Sequence, residues 1–239
     1  MSDNFNKHAW RSAGSSRTLD IDQGLRSHMV RVFMLMAMGL GVTGLVAFFA
    51  ASSQQFMIAV FTSPLKWVVM LAPLGMVFFL SARISTLRLE TAQILFWVYA
   101  ALMGVSLSTL FVVFTGESIA RLFFITGSVF GAMALYGYTT NRDLTQFGSF
   151  LMMGLLGIIV ASVVNIFLHS SAMQMDVSTL GVLIFTGLTA YDAQQIKESY
   201  LESDSVDTAG KKAIIGALML YLDFINLFIS LMNLFGERR

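Results

Sequence analysis

Between Lys211 and Phe235 the chain reads KKAIIGALMLYLDFINLFISLMNLF, an apolar run long enough to cross a bilayer that carries an aspartate, Asp223, halfway along. At about 1.5 Å of rise per residue the run exceeds a hydrocarbon core of roughly 30 Å. A charge at that depth costs about 2.5–3.5 kcal/mol even on lenient insertion scales. Asp223 must therefore face a bundle interior or a wet cavity. Helical steps of three and four from Asp223 reach Asn226, Ser230 and Asn233, so the polar groups form one seam while Ile225, Leu227, Phe228, Ile229 and Leu231 point elsewhere. The seam residues are candidates for lining a pore or for holding neighbouring helices together. Either role requires other helices around this one.

Composition supplies them. Of 239 residues 56% are hydrophobic and 12% charged, against roughly 25% charged in a soluble domain. Six further apolar runs precede the last: Met29–Ala51, Trp67–Arg83 with Pro73 inside it, Ala92–Phe114, Arg121–Tyr138, Phe147–Leu168 and Val177–Tyr200. The expected fold is an all-α membrane protein, with seven transmembrane helices in one domain over residues 28–239. Residues 1–27 are polar and predict a disordered cytoplasmic tail. Pro73 predicts a kink in the second span. Gly39, Gly41 and Gly44 spell G-x-G-x-x-G, but inside an apolar helix with no strand before it, so the glycines indicate close helix packing rather than a nucleotide. Gly127 and Gly131 offer a second small-residue face. With no cysteine the chain has no disulfide or thiolate metal site, and His8, His28 and His169 share no metal-ligand spacing, so no cofactor is expected. A net charge of +1 without a basic stripe argues against a nucleic-acid partner.

Placing the N-terminus in the cytoplasm puts Lys7, Arg11, Arg17, Arg26, Arg31, Arg83, Arg88, Arg142, Lys197, Lys211 and Lys212 inside. Only Lys66, Arg121, Arg238 and Arg239 remain outside, which obeys the positive-inside rule and sends the C-terminal GERR across the membrane. The short connection between the sixth and seventh spans makes them antiparallel neighbours. Asp192, in TAYDAQQIKESY, then lies at a depth similar to that of Asp223. Two carboxylates in a poorly hydrated place cannot both ionise cheaply and should share a proton, which makes the pair a pH sensor. Arg83, at the inner end of the second span, is positioned either to latch onto the pair or to anchor its helix at the interface. Glu202, Asp204 and Asp207 form a loop that is either simply solvated or concentrates cations at an inner mouth.

The stretches YLDFINLFISLMNLFG, FTGLTAYDAQQIK and DQGLRSHMVRVFMLMAMGLGVTG together resemble the Bax inhibitor family of seven-span membrane proteins, most closely its bacterial branch. The resemblance implies a bundle with the seventh helix central and wrapped by the other six, a calcium leak gated by protons, and residence in the bacterial inner membrane. It matches the family's paired pH-sensing aspartates to Asp192 and Asp223. Its latching arginine matches Arg83 by distance from the helix start and Arg88 by an ungapped count back from the third span. It also implies partners: the lipid bilayer, calcium, protons and, for some bacterial members, a membrane-bound protease.

The leading functional expectation is a pH-sensitive calcium or cation leak channel. Tight calcium sites use six to eight oxygens, so Asp192 and Asp223 alone predict a weak, transient site that lets the ion pass. Protonation removes charge that attracts a cation and also releases an Arg83 latch, two opposing effects. One rival is a membrane-embedded regulator that binds another membrane protein. A second is an intramembrane aspartyl protease, in which Tyr191-Asp192 and Asp223 act as acid and base. That family places its second aspartate in G-x-G-D, whereas Leu220, Tyr221 and Leu222 precede Asp223 and no Pro-Ala-Leu follows. The chain is therefore expected not to be an enzyme.

Overall fold

A computed structural model describes the backbone of residues 3–239 and the side chains of residues 23–239. Its helices are α1 (Asp3–Ser52), α2 (Gln54–Phe61), α3 (Leu65–Arg83), α4 (Leu89–Val113), α5 (Gly116–Thr139), α6 (Thr145–Leu168), α7 (Ser171–Ser199) and α8 (Val206–Phe235). Among the described residues there is no strand, only an isolated bridge between Phe114 and Arg238. With 8 residues, α2 is about 12 Å long and too short to span. The other seven each carry a sufficient apolar stretch, which in α1 is Gln23–Ser52. The protein is an integral membrane protein of seven spans.

The expected tail over residues 1–27 falls mostly on residues 1–22, whose side chains lie outside the described residues. From Gln23 the chain already belongs to the first span, and His28 and Met29 are buried, so that span starts earlier than the apolar run alone indicates. The helix ends follow local chemistry. Ser53, Thr115, Ser170 and Ser205 each accept a first-turn N–H at the starts of α2, α5, α7 and α8. His169 closes α6 in a left-handed conformation, φ 51°. Helix α3 runs through the buried Pro73 without a break.

Helix α8 is the core of the bundle. In its apolar window 72% of residues are buried, against at most 39% in any other span. Four helices touch it substantially: α7, α1, α5 and α4. The expected ring of six is thus incomplete, because α3 leans chiefly on α4 and α6 on α7. Only 11% and 6% of their windows are buried, so both present most of their apolar surface to lipid. In lipid an apolar helix has no hydrophobic incentive to leave its solvent, and only α7 and α8 carry carboxylates that must be buried.

Close crossings occur where backbone meets neighbour. A Cβ at Gly39 would stand 2.9 Å from the Phe96 ring, one at Gly104 would stand 2.7 Å from the Thr43 carbonyl, and one at Gly137 would collide with the Ala190 carbonyl. Gly41, Gly44, Gly127 and Gly131 have nothing within 4 Å. The packing expected of those four glycines is therefore absent from the bundle, because their faces of α1 and α5 point away from the helices that cross there.

One end of the bundle gathers the start of the first span at Gln23, the ends of α3, α5 and α7, and the starts of α4, α6 and α8. It carries Arg26, Arg83, Arg88, Arg142, Lys197, Lys211 and Lys212, and is called here the basic face. At the opposite face the C-terminus is strapped to the turn between α4 and α5. Thr115 N–H donates to Glu237 O, Arg239 N–H to Val113 O and Glu237 N–H to the Ser118 hydroxyl, while Arg121 pairs with Glu237 at 2.7 Å.

Candidate functional site: a buried aspartate pair

The register of α7 against α8 is visible in a ladder of neighbours. Lys212 Nζ donates to the Ser199 carbonyl at 2.9 Å, Gly216 faces Ile196, Asp223 meets Asp192, and Ser230 fills the space left by Gly181. Two antiparallel helices in this register bring both aspartates to one level. Asp192 is 9% exposed and Asp223 4%. The two carboxyls face each other across the contact of α7 and α8, close enough to act on one another, so that a proton held by one can be shared with the other. Oδ2 of Asp223 is buried and receives no N–H or hydroxyl donor. Neither carboxyl has an ion pair among the described residues: the four that form are Arg88–Glu90, Arg121–Glu237, Lys211–Asp207 and Lys212–Asp204.

The polar seam below the pair satisfies itself. Asn226 Nδ2 donates to the Leu222 carbonyl at 2.8 Å and Ser230 Oγ to the Asn226 carbonyl at 2.8 Å, both within α8. Asn233 is half-buried near the end of the helix. Further toward the C-terminal face the interior is aromatic, with Phe123 against Phe224 and Phe228 at 5.3 and 6.1 Å, and Phe130 against Phe224 at 5.5 Å.

Both candidate latches are exposed. Arg88 begins α4 and lies 3.7 Å from Glu90. Arg83 ends α3, directly before Ile84 and Ser85, which line a cavity of about 500 Å³ reaching Gln195 and Met219. Those two residues stand one helical turn from Asp192 and Asp223 respectively. Neither arginine lines that cavity; Arg83 is the nearer to it along the chain.

Several residues that support the site carry no motif. Tyr221, two positions before Asp223, meets Thr43 at 2.6 Å. Thr43 Oγ1 also lies 2.8 Å from the Ala100 carbonyl and 3.0 Å from the Gly39 carbonyl. A hydroxyl has one hydrogen, so Thr43 gives its own to one carbonyl at a time, or shares it between the two, and Tyr221 donates to Thr43, tying α8 to α1 and α4. Gln194, next but one to Asp192, accepts from Leu144 N–H and donates to the Arg142 carbonyl, while Lys197 donates to the Tyr138 carbonyl. These bonds clamp the connection between α5 and α6 onto α7. The signal for Gln194 was its place in a polar run on an apolar helix; Thr43 offered none.

The family model described as inhibitor of apoptosis-promoting Bax1 matches residues 25–239, which include both aspartates and all seven spans. The chain belongs to the Bax inhibitor family. Its bacterial relatives within reach of this match include a protein of Rickettsia prowazekii, 47% identical over 94% of this chain and 95% of that protein. The inner membrane protein YbhL of Escherichia coli is 46% identical over 90% of this chain and 94% of its own length. A membrane protein of Streptococcus pyogenes is 34% identical over 90% and 95% respectively. Seven spans around a buried carboxyl pair are therefore the setting of this Bax inhibitor family chain.

Proposed function

We propose that this Bax inhibitor family protein is a cation leak of the bacterial inner membrane, gated by protons at Asp192 and Asp223, with calcium as the permeant ion. The N-terminus lies in the cytoplasm, so that the basic face obeys the positive-inside rule. The observation that supports the reading is the buried pair of facing carboxyls on α7 and α8. While one proton is shared, the pair holds α7 to α8. Loss of that proton leaves two negative charges facing each other in a region of low dielectric, which repel across the helix contact and offer oxygen ligands to a cation. Two carboxylates make a weak calcium site, suited to passage rather than retention. Arg83, at the end of α3, is the latch, and Asn226, Ser230 and Asn233 are the polar positions along the route through α8.

The test is calcium flux into liposomes that contain the purified protein, followed from about pH 5.5 to 8.5. The wild type should show pH-dependent flux, with Asp192→Asn and Asp223→Asn each bringing the ratio between the pH extremes close to one. Flux equal to that of empty liposomes at every pH removes the leak.

A second reading is a membrane-embedded regulator that binds another membrane protein, such as a membrane-bound protease. It is favoured by the open small-residue face at Gly127 and Gly131 on α5, a surface of the kind on which membrane helices associate. It gains if the Asp192→Asn, Asp223→Asn double variant keeps the cellular phenotype. Cleavage of a transmembrane peptide by the wild type, lost in Asp192→Asn, would instead make the pair that of an intramembrane aspartyl protease.

A further inference from the structure

The cavity of about 500 Å³ beside Ile84 and Ser85 separates the end of α3 from the hairpin of α7 and α8. It exists because α3 packs on α4 and leaves the hairpin uncovered near the basic face. Its lining is graded with depth. Thr208, Lys211 and Lys212 stand at the mouth, on the first turns of α8, whereas Ile196, Ile215 and Met219 make the interior, with Gln195 its one polar side chain. From Lys211 to Met219 the helix rises about 12 Å, so the polarity falls from cationic to apolar over the distance that separates a lipid headgroup from the upper part of its acyl chain.

The two lysines are not equivalent. Lys212 is committed, at 2.6 Å to Asp204 and 2.9 Å to the Ser199 carbonyl. Lys211 is 17% exposed and pairs at 2.8 Å with Asp207, whose side chain is 53% exposed. A solvated pair of that kind holds its partner weakly, so an incoming phosphate can take Lys211 from Asp207 at little cost. Basic positions between membrane helices at such a face are suited to anionic headgroups, and the volume lies within the range of small-molecule sites.

We propose that this cavity is a binding site for one anionic phospholipid, with the headgroup phosphate on Lys211 and an acyl chain lying between α3 and the α7–α8 hairpin against Ile196, Ile215 and Met219. The cavity that seats it ends one turn short of the carboxyl pair. The site does not depend on whether the pair conducts ions.

Native mass spectrometry of the full-length protein, titrated in detergent with phosphatidylglycerol or phosphatidylcholine, tests the site directly. The wild type should retain one phosphatidylglycerol in preference to phosphatidylcholine. Lys211→Gln should lower the apparent affinity for phosphatidylglycerol about fivefold and leave phosphatidylcholine unchanged. Ser85→Phe, which narrows the cavity from an exposed position, should reduce retention of both. Equal retention of the two lipids with no response to Lys211→Gln overturns the proposal. A response to Lys211→Gln without one to Ser85→Phe also overturns it, since the lipid would then be adsorbed at the surface with no chain in the cavity.

Discussion

Tyr221 and Tyr99 lie edge to face at 5.3 Å, both fully buried, yet they stand on opposite sides of the hydrogen-bond ledger. Tyr221 donates to Thr43, whereas the Tyr99 hydroxyl has no partner. Tyr221→Phe should therefore destabilise the bundle by about 1 kcal/mol, while Tyr99→Phe, which removes a buried polar atom that bonds to nothing, should leave stability unchanged or raise it. Thermal unfolding of the two variants in one detergent reads the contrast, and equal losses would mean that ring packing alone matters at both positions. The aspartates were legible at this scale from the sequence, since a carboxylate inside an apolar run must be buried with a partner. Thr43 was not, because a threonine in a membrane helix can satisfy itself on its own backbone, and only the crossing with α4 and α8 gives it further partners.

The helices were legible as apolar runs, with ends that shift by a few residues where a cap rather than hydropathy decides them. The exception is α2, whose 8 residues fall between the first two apolar runs. What hydropathy does not encode is which face of a helix meets a neighbour. The glycines of α5 show this. Gly137 lies against the backbone of Ala190 on α7, whereas Gly131, two turns earlier, meets nothing within 4 Å. Gly137→Ala should push α5 off α7 and cost about 1–3 kcal/mol, the usual range for overfilling a packed contact. Gly131→Ala should be neutral or stabilising by up to about 1 kcal/mol through helix propensity. If Gly131→Ala is the damaging change, α5 has a partner on that face, which would support the regulator reading.

For the whole molecule the consequence of seven spans is that the first span begins at the face opposite the one where the last span ends, and there Glu237 and Arg239 are strapped onto the α4–α5 turn. The chain has no cysteine, so single introduced thiols report sidedness without background. In intact cells an impermeant thiol reagent should label Thr62→Cys and spare Thr86→Cys; the reverse pattern would place the basic face outside and remove the cytoplasmic N-terminus. The sequence by itself determined the number of spans, their polarity bias and the need for a buried carboxyl pair, because each follows from the cost of exposing charge or backbone to hydrocarbon. Only the tertiary structure decided that α3 and α6 stand outside the ring, that a cavity beside the end of α3 reaches within a turn of the pair, and that the two carboxyls face each other across α7 and α8. Those outcomes depend on which helix faces come into contact, and in a bilayer, where apolar faces gain little by choosing one another, that choice is made by a few glycines, hydroxyls and helix-end clamps far apart in the chain.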